Sequence, residues 1–329
     1  MDVTRAFALA VLGAGVLIVS AASILIRYAL AEGLPAISVA ALRLAIAAVV
    51  LLPMLIAMRR DELTLLTRRD WMLAAGAGAF LALHFASWIL SLEYTSVASS
   101  VALVTTNPIW IGLGSWIVLR EQLSRRMVTA IGMALAGSAV VFLADENIAT
   151  ASAPQPMLGN TLALIGSLAM CGYLLIGRRL RAGVTLLSYV GVVYAVAAVF
   201  LVATALAFSA PLVTISATAW LIVLALALGP QLLGHTAFNW SLKHFPATVV
   251  AVAILGEPIG STLLAWLMLG EPIGAIKLGG MALLLGGIVL AALTPRSTTR
   301  HYHDSGHQQA GARHLDGQPG DGRDAGFHC

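Results

Sequence analysis

The chain has 329 residues, of which 59% are hydrophobic and only 10% charged, and its mean hydropathy is +0.91. An ordinary soluble domain carries roughly a quarter of its residues as Asp, Glu, Lys or Arg, so this composition excludes a soluble globular protein. The formal net charge of +4 comes from basic residues scattered between apolar runs, not gathered into one stripe, which argues against a nucleic-acid partner.

Apolar runs of roughly 20 residues, each long enough to cross a ~30 Å hydrocarbon core as a helix, fall at 6–31, 36–58, 70–91, 97–119, 125–144, 159–179, 186–208, 217–240, 247–269 and 275–294. They predict an all-α membrane protein with ten transmembrane helices. The first run is too long for the apolar part of a cleaved signal peptide and is read as a retained helix. Cys171 lies inside a run and Cys329 at the terminus, so no disulfide framework is expected.

The charges between the runs set an orientation. Alternate loops hold Arg59, Arg60, Arg68 and Arg69, then Arg120, Arg125 and Arg126, then Arg178, Arg179 and Arg181, then Lys243, with Arg296 and Arg300 after the last run. The opposite loops hold Glu32, Glu93, Asp145, Glu146 and Glu271, with no Lys or Arg. The positive-inside rule then puts both termini in the cytoplasm of a cell whose inner (plasma) membrane the protein spans.

The sequence also repeats at an offset of 150 residues. Ser91-Leu92 matches Ser241-Leu242, Asn107-Pro108-Ile109 matches Glu257-Pro258-Ile259, and Trp116, Leu119, Glu121 and Gly137 match Trp266, Leu269, Glu271 and Gly287. Ala47-Ala48-Val49 falls on Ala197-Ala198-Val199 in the same frame, so the register reads as gapless. The expected organisation is a first five-helix repeat (1–144), an extracytoplasmic linker (145–158), a second five-helix repeat (159–294) and a disordered cytoplasmic tail (295–329). Five crossings per copy is an odd number, so the copies are two inverted repeats, the signature of an alternating-access transporter.

The pattern Pro108…Trp116…Leu119…Glu121, repeated as Pro258…Trp266…Leu269…Glu271 and followed by Gly279-Gly280 and Gly286-Gly287, resembles the EamA-type transporters of the drug/metabolite transporter superfamily. The resemblance covers roughly residues 5–294. It implies a ten-helix, two-repeat carrier whose helices 1, 3, 4, 6, 8 and 9 surround a central cavity. It also implies export of amino acids or other small metabolites, with the aromatic amino acid exporters as one branch. Asn107 departs from Glu257 at the matching position, so any role for a carboxylate there belongs to the second half.

Glu257 is the first candidate for substrate binding. It lies about ten residues from either end of its run, roughly 15 Å deep at about 1.5 Å per residue, too far to reach the interface. It must be protonated, paired or hydrated, as a proton carrier, a receiver of a substrate amine, or a helix-packing hydrogen-bond partner. Pro258 is expected to break the helix by freeing the carbonyl of Ile254, and Pro108 to do the same in the first copy. Asn107 either faces the substrate or satisfies the backbone freed there, and Trp110 shares its face. His84, Trp88 and Ser91 share one face of helix 3. His235 and Asn239 form a matching pair in helix 8, which Gly229-Pro230 bends, and Phe85 and Phe238 fall near the same levels. Arg43, about seven residues into its run, snorkels, pairs with a carboxylate such as Glu257, or receives a substrate carboxylate.

Gly132/Ala136 and Ala282/Gly286 have the spacing of close helix packing and suggest a homodimer seam. The tail histidines His301, His303, His307, His314 and His328 are irregularly spaced, so no metal or other cofactor is expected. No phosphate-binding loop is present, so energy should come from a solute or proton gradient. A membrane enzyme would need acids or histidines converging at one interface, and a channel would need rings of charge or a carbonyl filter. The reading reached from sequence is a secondary active transporter, not an enzyme, exporting a small-molecule substrate across the lipid bilayer. Amino acids lead as cargo, and a drug or other metabolite is the alternative.

Overall fold

Every regular element in the described residues is helical, and the computed structural model describes 3–95, 97–118, 123–146, 155–269 and 274–293. Six helical stretches are long and apolar enough to cross a membrane by themselves: Arg5–Ala31, Ala36–Leu65, Arg68–Tyr94, Met157–Leu180, Leu186–Ala207 and Ala217–Ser241. The first comprises α1 (Val3–Ser20) and α2 (Ala22–Ala31), and the next four are α3 (Ala36–Leu65), α4 (Arg68–Tyr94), α8 (Pro156–Leu180) and α9 (Leu186–Ala207). The last joins α10 (Ala217–Leu226), a π-helical segment (Ala227–His235) and α11 (Thr236–Ser241). Local chemistry marks the starts. Thr67 and Asp70 form a capping box ahead of α4, and Thr185 and Ser216 accept from the backbone N–H three residues on at the starts of α9 and α10.

The remaining predicted crossings are α5 (Val97–Val104) with α6 (Asn107–Val118), α7 (Arg125–Glu146), α12 (Ala247–Ile254) with α13 (Glu257–Leu269), and α14 (Ala275–Leu293). Here the predicted breaks at Pro108 and Pro258 need correction. The chain leaves the helix two residues earlier, at Thr105-Thr106 and Leu255-Gly256, and each proline falls at the second residue of a new helix. A proline in a first turn has no N–H to lose and a backbone angle already suited to the helix, so the interruption moves to the turn before it. Three-residue bonds close those turns, from Thr106 N–H to the Leu103 carbonyl (3.2 Å) and from Gly256 N–H to the Ala253 carbonyl (2.9 Å). Asn107 and Glu257 thereby become the first residues of α6 and α13, at the positive end of each helix dipole.

Equivalent helices of the two copies pack on one another, α3 against α9 and α7 against α14, and α4 packs closely along α8. Both equivalent pairs run antiparallel. A Cβ on Gly137 would meet the Gly280 carbonyl oxygen at 2.6 Å and the backbone of Leu284, whereas one on Gly287 would meet the Ala130 oxygen and Ala134 nitrogen at 2.7 Å. Ala130 and Ala134 are the 150-offset counterparts of Gly280 and Leu284, so the contact is self-complementary, as across a two-fold axis.

The register is not gapless. The N-caps Thr67 and Ser216 are 149 residues apart and Ser91 and Ser241 are 150 apart, so the second copy holds one extra residue between them. The helix absorbs it as the π-helical segment, which also houses Pro230. Glu121, Glu271, residues 147–154 of the linker, and the tail from 295 with its histidines and Cys329 lie outside the described residues.

Because Gly137 sits on backbone atoms, Gly137→Ala should lower stability by about 1–3 kcal/mol through overpacking. Gly132→Ala, where nothing lies within 4 Å, should be neutral or stabilising by up to ~1 kcal/mol. Thermal unfolding of the two variants in detergent checks the contrast.

Candidate functional site

A cavity of about 20 Å³ lies among the helices, lined by Val19, His84, Trp88, Val104, Thr105, Asn107, Met170, His235, Phe238, Ile254 and Glu257. Three pairs in this lining are 150-offset equivalents: Trp88 with Phe238, Val104 with Ile254, and Asn107 with Glu257. The cavity therefore sits where the two copies face each other. Five of the predicted site residues, His84, Trp88, Asn107, His235 and Glu257, converge on it from four separate helical elements, Asn107 and Glu257 being the first residues of theirs.

His84 projects from α4, and its Nδ1 donates to the carbonyl of Gly166 on α8 (2.9 Å), which leaves Nε2 as the acceptor of the neutral ring. Gly166 makes this possible, since a Cβ there would already stand 3.2 Å from Ser87 Oγ and 3.3 Å from Trp88 Cβ. The imidazole stacks on the Trp88 indole, with centroids 5.9 Å apart and an interplanar angle of 18°. Trp88 Nε1, Asn107 Oδ1, His235 Nδ1 and Glu257 Oε1 are all buried with no hydrogen-bond partner in the protein. A buried polar atom left in that state costs about 1–3 kcal/mol, so four at one cavity mark a place arranged for something other than stability.

Two predicted residues lie elsewhere. Asn239 is fully buried behind the lining, where its Oδ1 accepts from Tyr173 OH (2.7 Å) and its Nδ2 donates to Tyr194 OH (3.2 Å) and the His235 carbonyl (2.9 Å). Its amide is occupied in tying α8, α9 and α11 together. Trp110 turns its Nε1 back to Thr106 Oγ1 (3.3 Å) and does not reach the cavity.

Arg43 does not snorkel. It is 0% exposed, and its carbon Cζ lies 4.1 Å from the centroid of the Phe85 ring, because its face of α3 is enclosed by α4, α9 and the π-helical segment. None of its three guanidinium nitrogens has a hydrogen-bond partner, so it makes no direct ion pair with Glu257. Sequence reasoning missed Thr105 and Met170. Thr105 was within reach, two residues ahead of Asn107 at the break, but Met170 carried no signal beyond an apolar position in a helix.

The long apolar helices define a multi-pass membrane protein. The sequence profile of the EamA-like transporter family matches it twice, over residues 6–143 and 157–293. The chain belongs to that family. It is similar to the uncharacterized transporter YetK of Bacillus subtilis (strain 168), with 24% identity over 281 residues and 82% of each chain covered. One solved crystal structure shares the fold with a TM-score of 0.69 at 22% identity, covering 87% of this chain and 96% of that one.

The unlike burdens of Asn239 and Glu257 give contrasting expectations. Asn239→Leu, which removes the Oδ1 acceptor of the Tyr173 hydroxyl and the amide donor to Tyr194 OH, should cost about 1–3 kcal/mol. Glu257→Gln, which removes a buried acid whose Oε1 has no partner to lose, should leave the thermal midpoint unchanged or raised. Melting curves of the two purified variants beside the parent protein decide this.

Proposed function

We propose that the chain is a secondary active transporter, not an enzyme, built of two inverted five-helix repeats, that exports small amphiphilic metabolites, amino acids foremost, by alternating access. The observation that carries this reading is the convergence of Trp88 Nε1, Asn107 Oδ1, His235 Nδ1 and Glu257 Oε1, all without protein partners, on one cavity lined from both copies. Apolar Val19, Val104, Met170, Phe238 and Ile254 complete the lining, which suits a cargo with a polar head and an apolar body. His84, Trp88, Asn107, His235 and Glu257 contact the cargo, while Asn239 and Trp110 brace the wall.

Family membership and the double profile match support the division into repeats at 1–144 and 159–294. The antiparallel packing of equivalent helices supports their inversion. With the six long stretches, the interrupted pairs α5–α6 and α12–α13 and the helices α7 and α14 bring the crossings to ten. Loop charges support an inner-membrane topology with both termini in the cytoplasm. Of the residues that suggest a homodimer seam, Gly132 lies open on α7, whereas Gly286 of α14 faces Met133 of α7 within the chain, so a homodimer would use the Gly132 side of α7. At about 20 Å³ the cavity has room for about one water. An amino acid therefore enters only when the helices on either side of the cavity move apart, pivoting at the breaks ahead of Pro108 and Pro258.

The test is counterflow of a radiolabelled amino-acid panel in proteoliposomes. Saturable exchange of one class, reduced at least tenfold by Trp88→Ala, is the expected result. Glu257→Gln should still exchange but lose net flux driven by a pH gradient. Failure of the folded protein to exchange any amino acid would overturn the amino-acid reading in favour of other metabolites or drugs.

A further inference from the structure

Among the described residues, Arg43 is the buried side chain with the most unpaired polar atoms. It is fully buried, and none of its three guanidinium nitrogens meets an acceptor. Taking a guanidinium out of water is recovered only by excellent geometry with an opposite charge and full hydrogen bonding. Neither is present. The ring of Phe85 at 4.1 Å offers cation–π attraction, which returns part of that loss and fills no N–H. Glu257 interacts with the guanidinium through space only.

The same Phe85 ring touches both cavity imidazoles, with centroids 4.9 Å from His84 and 5.1 Å from His235. One aromatic ring thus contacts the unsatisfied guanidinium and the cavity wall together. We propose that Arg43 is the receptor for a carboxylate on the transported molecule, and that Phe85 covers it in this conformation. The inference rests on the transporter reading of the same cavity and narrows its cargo class. A rotation of the Phe85 side chain opens the guanidinium to the cavity, and a carboxylate then takes two parallel N–H bonds from its planar fork.

The two halves supply opposite charges. Arg43 corresponds to Val193 in the second copy, and Glu257 to Asn107 in the first. Each charge exists once, on opposite sides of the repeat, and the acceptors Glu257 and Asn107 face the cavity. The arrangement fits a zwitterion, held with its carboxylate toward α3 and its ammonium toward α6 and α13.

The experiment uses the full chain in proteoliposomes and the amino acid that exchanges best. Its amide, which keeps the amine and lacks the carboxylate, is compared with it as a competitor. The amide should compete at least tenfold more weakly on the native protein, and Arg43→Gln should cut that preference below twofold. An amide that competes as well as the parent, or an unchanged preference in Arg43→Gln, overturns the proposal. If Arg43→Gln does not fold, Phe85→Leu decides: uncovering the guanidinium should enlarge the preference, and an unchanged ratio overturns the proposal. If no amino acid is exchanged, the amino-acid reading falls separately. Thermal shifts with simple carboxylates and their amides then judge Arg43. Stabilisation by the carboxylates alone supports it, and an equal response to both overturns it.

Discussion

In hydrocarbon no water is available to take up a free peptide N–H or carbonyl, so a helix can be interrupted only where protein or a cavity surrounds the interruption. The chain interrupts one helix at Thr105-Thr106 and its counterpart at Leu255-Gly256, and both breaks border the cavity through Thr105, Asn107, Ile254 and Glu257. Much else in the structure accommodates that choice. Each proline sits just after its turn, where its missing N–H costs nothing. The turns close on themselves with short-range bonds. The new helices begin with a polar residue at the positive end of the dipole, which gives Glu257 partial compensation that a mid-helix carboxylate would lack. A break, a proline and an acid look like three separate anomalies, but together they make one device for presenting a side chain inside the bilayer.

Symmetry and its violations share the work. Backbone-level features are duplicated: the breaks, the antiparallel glycine contacts of α7 with α14, and the cavity pairs Val104/Ile254 and Trp88/Phe238. Buried charges are not. Arg43 and Glu257 each face a neutral counterpart, and the π-helical segment exists in the second copy alone. A duplicated scaffold supplies two equivalent openings, whereas a cargo with unlike ends needs unlike walls. Divergence at a few side chains is enough to provide them.

What could be read from the sequence follows from how local each signal is. Apolar length, loop charge and proline position are properties of short segments, and they led to the helices, the repeat and five residues of the cavity lining. The misplaced features depend on partners far along the chain. Spacing put Asn239 on a helix face but could not reveal Tyr173 and Tyr194, 66 and 45 residues away, which occupy its amide. Depth suggested that Arg43 would reach an interface, but only the packing of α3 shows that its face turns inward onto Phe85. Matching at offset 150 passes over the extra residue, because one residue fewer between Ala197 and Ser216 than between Ala47 and Thr67 restores the same offset on both sides. A wide helical turn leaves no mark in composition, and it becomes visible only when the N-caps of α4 and α10 are compared.

Packing also decides which bodies can move. Two inverted repeats invite the picture of two halves rocking against each other, yet tight contacts cross between them. Gly166 and Gly172 of α8 lie against Ser87 and Phe80 of α4, Gly159 lies against Thr95 just after α4, and Gly15 of α1 lies against Ala237 of α11 with Gly234 against Val19. Sliding the halves apart would tear both seams. The cavity lining divides along the same seams. Its Val19, His235, Phe238, Ile254 and Glu257 come from α1, the π-helical segment, α11, α12 and α13, and its other residues from α4, α5, the following turn, α6 and α8. Each group takes one helix from the opposite half: α8 joins α4–α6, and α1 joins the group of α10–α13. The groups are equivalent under the repeat, and they meet at the cavity and not across a glycine seam. Exchange of the first helix of each copy therefore turns the two-fold repeat into two interleaved bodies, and the cavity lies on the boundary between them.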